Sequence, residues 1–228
     1  MAEKENKKKT TEIATAEPDT TALEKVSDNK EGFIINPDDI DIPWMNVVQR
    51  SSTMDTGSPG DLVHDKEHVM VGADTPLLVV PLTPKKGWKE NIPFDSDESP
   101  RVAYSEHQRD LLAEDSDYEL IEFAELGFLV PNPDSDSVDD FNPAYPFPIA
   151  GGQYNLGRIY VQKDAYRQTY KRLATFQTFN ADIPLNSIYW ELSVVLMERG
   201  KYKWFAPSIK ATEQQTPKAL REFLGQWS

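Results

Sequence analysis

Lysine and arginine recur beside aromatic residues along this chain. Pro84 to Asn91 reads PKKGWKEN, setting Lys85, Lys86 and Lys89 around Trp88. Arg158 and Tyr160 are two positions apart, so on a strand they share a face. Tyr189, Lys201, Lys203 and Phe205 fall within SIYWELSVVLMERGKYKWFAPSIK, from Ser187 to Lys210. Arg167, Lys171 and Arg172 follow at helical spacing. A ring stacks on any unpaired base for roughly 1–3 kcal/mol, and a neighbouring cation neutralises phosphate. One such pair also fits an ordinary amphipathic strand showing Tyr and Lys to water. Several in a chain otherwise dominated by acids favour a nucleic-acid surface built from all these residues.

Residue types suited to catalysis are present but badly placed for it. His64 and His68 are four apart with Asp65 and Glu67 between them, a metal-ligand spacing on a helix. Gly60 and the Val69-Met70-Val71 run favour strand or turn there, and no third ligand is indicated. His107 stands alone. Carboxylates pair at Asp95 and Asp97, Asp115 and Asp117, Asp134 and Asp136, and Asp139 and Asp140. A two-metal nuclease needs such acids on rigid elements over a groove, whereas these sit among Ser, Pro and Asn. The Asp134 run lacks the glycine of a calcium loop. There is no phosphate loop, dinucleotide fingerprint or nucleophile elbow. The expectation is a non-enzyme with no cofactor and no metal.

The charge is unevenly spread. The net charge of −14 divides into −4 over residues 1–40, −1 over 41–89, −14 over 90–140 and +5 over 141–228. An acidic protein can therefore carry a basic working face, which the overall sum conceals. The absence of cysteine suits a reducing compartment, and no apolar run suggests a signal peptide or a membrane span. Together these lead to an expectation of the cytoplasm, that of a host cell if the gene is viral.

Strands must do most of the positioning. Residues 1–36 are polar, with a Lys7–Lys9 run and a short helical pattern at Thr21 to Val26. They read as a disordered tail, leaving 37–228 as one β-rich domain. Ile42 to Arg50 reads as a first strand, Asp61 to Gly72 as a hairpin, and Leu77 to Leu82 as a buried strand whose Pro81 signals an edge or a bulge. Pro84 to Asn91 reads as a loop, with Trp88 either meeting a partner or folding back as a lid. About 91–140 reads as an acidic, loop-rich insertion, with a helical pattern at Glu106 to Ala113 and a strand region at Tyr118 to Pro131. Tyr154 to Lys163 alternates Ile159 and Val161 against Arg158 and Tyr160. Asp164 is placed to cap a helix carrying Tyr166, Tyr170 and Leu173. Thr216, Pro217 and the Ala219, Leu220, Phe223, Leu224 stripe mark a C-terminal helix.

Ser187 to Lys210 reads as a long hairpin. Its register is expected from a three-residue Glu198-Arg199-Gly200 loop, which sets Leu192, Val194 and Leu196 opposite Ala206, Trp204 and Tyr202. Lys201, Lys203 and Phe205 would then join Tyr189 on the water-facing side.

Two stretches carry a family resemblance. IPWMNVVQRSS with its glycine-bearing turn, and RIYVQKDAYRQTYKRLATFQ through ADIPLNSIYWELSVVLMERGKYKWFAPSIK, resemble bacteriophage single-stranded DNA-binding proteins. The acidic stretch from Asn91 to Asp140 and the chain end EFLGQWS depart from that pattern. The resemblance implies an OB-like, partly open β-barrel with minor α structure and a C-terminal helix. It also implies sequence-tolerant binding and protection of single-stranded DNA in phage replication or recombination. The implied partners are single-stranded DNA and other phage replication or recombination proteins, with self-association open. The alternative is a non-enzymatic structural or interaction protein, either a virion component or an acidic inhibitor of a basic host protein.

Overall fold

Leu120–Pro131 (β7) is the strand that the rest of the sheet is built on. In the computed structural model, which describes residues 41–93, 95–133 and 142–225, the chain is mainly β with minor helix. The expectations for residues 1–36 and for the Asp134 to Asp140 acids lie outside the described residues. A small antiparallel sheet comes first, of Met45–Val47 (β1), Leu62–His64 (β2) and His68–Val71 (β3). Leu77–Pro81 (β4) and Lys85–Glu90 (β5) then run consecutively along one edge of β7. Pro81 pairs with Phe128, Leu82 donates to the Gly127 carbonyl at 2.9 Å, and Lys85 pairs with Glu125, so the β4–β5 side holds one residue more than β7. The extra residue falls at Thr83-Pro84, past Pro81, which itself pairs in register on a strand flanked by two others, so Pro81 marks neither a sheet edge nor the bulge. PKKGWKEN is thus a strand, not a loop, because its backbone completes the ladder with β7.

The acidic stretch is more ordered than a loop-rich insertion. It contributes Val102–Ala103 (β6) beside β5, the helix Glu106–Asp115 (α1) and β7 itself. Ser105 caps α1 by accepting from the Gln108 amide, as a serine one residue before a helix does. Phe147–Ile149 (β8) and Gly152–Gln162 (β9) form a hairpin whose second strand pairs with β7 along nine residues. Two helices follow, Lys163–Gln168 (α2) and Tyr170–Phe179 (α3), in place of the single helix expected. The break falls at buried Thr169, whose backbone leaves helical values (φ −122°, ψ −85°) while its hydroxyl donates back to the Ala165 carbonyl at 2.6 Å. Asp164 lies inside α2, not at its cap.

Ile188–Arg199 (β10) returns to pair with β4, and Tyr202–Gln215 (β11) pairs with β10. A three-strand meander, a helical connection and a hairpin that rejoins the first strand make the order of an OB-like, partly open barrel. Among the described residues β11 and β9 do not pair, and the small sheet fills the seam between them. Trp44 bridges Arg158 in parallel, and the Arg158 amide donates to Pro43 at 2.9 Å. On the other side the Gln49 side chain imitates a peptide. Its Nε2 donates to the Phe205 carbonyl at 2.7 Å, and its Oε1 accepts from the Phe205 amide at 2.9 Å.

The barrel interior takes Ala124, Leu126, Phe128, Ile159, Val161, Trp190, Leu192 and Ile209, with Met45 closing over Gly157. Lys218–Leu224 (α4) covers the outside at the other end, sealing Val80, Leu129, Leu156 and Tyr189 with Leu220 and Leu224. Thr216 does not cap α4; its amide instead donates to the Ser187 carbonyl.

The hairpin register differs from the expected one. Arg199 pairs with Tyr202, so the turn is Gly200-Lys201 with Gly200 at φ 60°. Glycine at the first central position satisfies a two-residue hairpin turn, which removes the need for a longer loop. Leu196 therefore faces Phe205, and Glu198 faces Lys203, with a 2.5 Å ion pair. Phe205 packs on the interior while Tyr202 is 65% exposed, the reverse of the expected arrangement. Apolar continuity could not choose the register here, because the distal hairpin extends past the core and leaves Leu196 44% exposed.

Candidate nucleic-acid interface

The outward side chains of β5, β7 and β9 form rows that follow directly from the register. Lys85, Glu125 and Tyr160 make one row, and Gly87, Phe123 and Gln162 make the next. Arg158 and Gly127 continue beyond them. Strand spacing of about 4.8 Å sets neighbouring side chains of a row within contact range.

Phe123 is the floor of this face. It is 1% exposed, with the Tyr160 ring stacked on it at 5.1 Å and the Tyr104 ring edge-on at 5.7 Å. Gly87 makes room for it: a β-carbon there would lie 2.6 Å from the Phe123 ring. Tyr160 and Tyr104 remain 37% and 41% exposed above this floor, and Trp44 is 37% exposed along the same face. Each of the three rings has a cation against it. The Lys85 ammonium lies 4.1 Å from the Tyr104 centroid, Lys89 5.2 Å from Tyr160, and the Arg158 guanidinium 4.0 Å from Trp44.

Burial pushes the Lys89 ammonium below the usual lysine range, and the like charge of Lys163 adds to this. Lys163 is exposed and follows directly on Gln162 of the Phe123 row, which adds a fourth cation at the end of this face. Burial also raises the Tyr160 hydroxyl, with Tyr104 and Glu125 contributing, so the ring stays neutral.

The acidic stretch holds Tyr104 in place. Glu90 is buried and takes Arg101 through two nitrogens at 2.7 and 2.9 Å, the Arg101 amide at 2.8 Å and the Ser116 hydroxyl at 2.6 Å. These donors hold the Glu90 carboxyl down to about 2. Arg101 also reaches Asp115 at the end of α1 at 2.5 Å. Between these anchors, β6 pairs with β5, and the Tyr104 hydroxyl donates to Glu125 at 3.0 Å.

Of the residues singled out in the sequence, Lys85, Lys89, Arg158 and Tyr160 come together on this face. Lys86 and Trp88 point to the opposite side, where Lys86 pairs with Glu122 at 2.6 Å and Arg109 of α1 lies 5.2 Å from Trp88. Trp88 is therefore packed between cations of its own chain. Lys171 also leans toward Glu122 and Arg167 toward Asp164, each at 3.9 Å. Arg172 fastens α3 to β11, donating to the Ser208 hydroxyl at 2.9 Å and the Ile209 carbonyl at 3.1 Å. Lys201 and Lys203 lie at the exposed hairpin tip. Tyr189 is buried under α4, and Phe205 packs on the interior, so neither presents a free ring.

Trp44, Tyr104 and Lys163 were missed. Trp44 alternates with Met45 on the first strand, but nothing local ties it to β9. Tyr104 carries no signal at all, since its position depends on the distant Glu90–Arg101 pair. Of the His64 and His68 pair, His64 is buried, and its Nε2 lies 3.1 Å from the Leu156 carbonyl. Burial lowers its pKa. Among the described residues no cluster of His, Asp and Glu could hold a metal ion, and no helix is long and apolar enough to cross a membrane.

Fold and face together define an OB-like β domain with a ring-and-cation outer surface. Protein-family models, curated proteins and solved structures contain no match to this chain.

Proposed function

We propose that the protein binds single-stranded DNA across the outer face of β5, β7 and β9, with little dependence on sequence. The observation that carries this reading is the row of three exposed rings, Trp44, Tyr104 and Tyr160, each with its own cation, over a rigid Phe123 floor. It is also the surface that OB-type barrels offer to oligonucleotides, the outside of the second and third meander strands. Stacking supplies base-tolerant affinity, while Lys85, Lys89, Arg158 and Lys163 neutralise the backbone. The acids elsewhere repel DNA from other surfaces and favour this one face. The sequence resemblance extends the proposal to protecting single strands in phage DNA replication or recombination.

A gel shift comparing a thymidine oligomer with duplex DNA is the first test. Preferential retardation of the single strand, weakening with added salt, is expected; equal binding to both or to neither would overturn the proposal.

A further inference from the structure

Glu125 is out of place on a surface meant for phosphates. It lies at the centre of the face, between Lys85 on β5 and Tyr160 on β9 in the same row. Its Oε1 accepts the Tyr104 hydroxyl at 3.0 Å, and no other hydrogen bond or ion pair engages its carboxylate among the described residues. Lys85, its cross-strand neighbour, is turned over the Tyr104 ring instead. A carboxylate left with spare acceptor capacity beside two exposed rings repels a phosphate but suits the edge of a stacked base.

From this geometry we infer that Glu125 forms a guanine-preferring subsite within the otherwise base-tolerant strand path. The inference rests on the single-strand reading above. Guanine alone presents two adjacent donors on its pairing edge, N1–H and the N2 amino group, which match the two oxygens of a carboxylate. Cytosine and adenine set one amino donor beside a ring-nitrogen acceptor. Thymine flanks its single N–H with two carbonyls whose lone pairs face the carboxylate unfavourably. A base stacked on Tyr160 lies about one strand spacing, roughly 4.8 Å, from the Glu125 position. The hydrogen bond from Tyr104 holds the carboxylate in one orientation, so little further ordering is needed on binding.

The test is fluorescence anisotropy with three labelled twelve-nucleotide strands: all thymidine, thymidine with every third base guanine, and the same with hypoxanthine for guanine. Hypoxanthine keeps N1–H and lacks the amino group. The wild-type chain is expected to bind the guanine strand about tenfold more tightly than the thymidine strand, within what one bidentate base contact supplies. Hypoxanthine should fall between them. Glu125→Gln should erase the preference while binding thymidine as well as or better than wild type. If Glu125 only offsets nearby positive charge, all three strands bind the wild type alike and Glu125→Gln strengthens them equally. That result overturns the guanine subsite but leaves the single-strand reading standing. Failure of every strand to bind overturns both.

Discussion

Replacing Tyr160 with alanine tests the stacking face where its parts depend most on one another. The ring is 37% exposed, and its inner side rests on Phe123 at 5.1 Å with an interplanar angle of 26°. Truncating a fully buried aromatic costs about 3–5 kcal/mol; with over a third of this residue in water, a folding loss of about 2 kcal/mol is expected. The binding loss is a separate quantity. One base platform is worth roughly 1–3 kcal/mol, or about 5- to 150-fold in Kd. Tyr160→Phe keeps the ring and should stay close to wild type in both respects. Anisotropy titration of a thymidine oligomer gives the affinity, and a thermal melt of each variant gives the stability. A Tyr160→Ala chain that melts cooperatively and still binds within about twofold of wild type would refute the assignment of this face.

Other consequences follow from the same geometry. Four cations at the face imply a salt dependence of log K on log salt near −3, at about −0.7 per phosphate on a single strand, and Lys85→Ala should flatten it by about one such step. Gly87→Ala would put a β-carbon 2.6 Å from the Phe123 ring and 2.9 Å from the Ala103 carbonyl, so it should destabilise the fold by about 1–3 kcal/mol in a denaturant melt. Because the Glu90 carboxyl is held at about 2, below its ordinary 4.5, its contribution to stability is complete above the higher value. That contribution declines as pH falls through the interval, and urea melts across it should show Glu90→Gln lacking this acid sensitivity.

How far the sequence revealed the fold depended on whether a segment's constraints were local. In β9, alternation alone separated Ile159 and Val161 from Arg158 and Tyr160, because one side is sealed in the barrel and the other is open. Pro81 pointed to an edge or a bulge at its own position, yet it pairs in register with Phe128, and the extra residue comes only after Leu82. The distal hairpin failed because turn chemistry at Gly200-Lys201 governs a register that no buried face enforces at Leu196. PKKGWKEN misled in another way: charge and glycine suggested a loop, yet Gly87 is there to admit the Phe123 ring. Of the candidate site, the cations and ring on β5 and β9 were readable. Tyr104 was not, because a salt bridge between Glu90 and Arg101 positions it from a different part of the chain.

The most direct test of the central claim is photo-cross-linking to a single-stranded oligomer carrying 5-iodouracil, with the attached residues mapped by mass spectrometry. Adducts at Trp44, Tyr104 and Tyr160 are expected, suppressed by excess unlabelled single strand and not by duplex. Adducts confined to rings elsewhere, such as Trp88 or Tyr170, or no adducts at all, would contradict it.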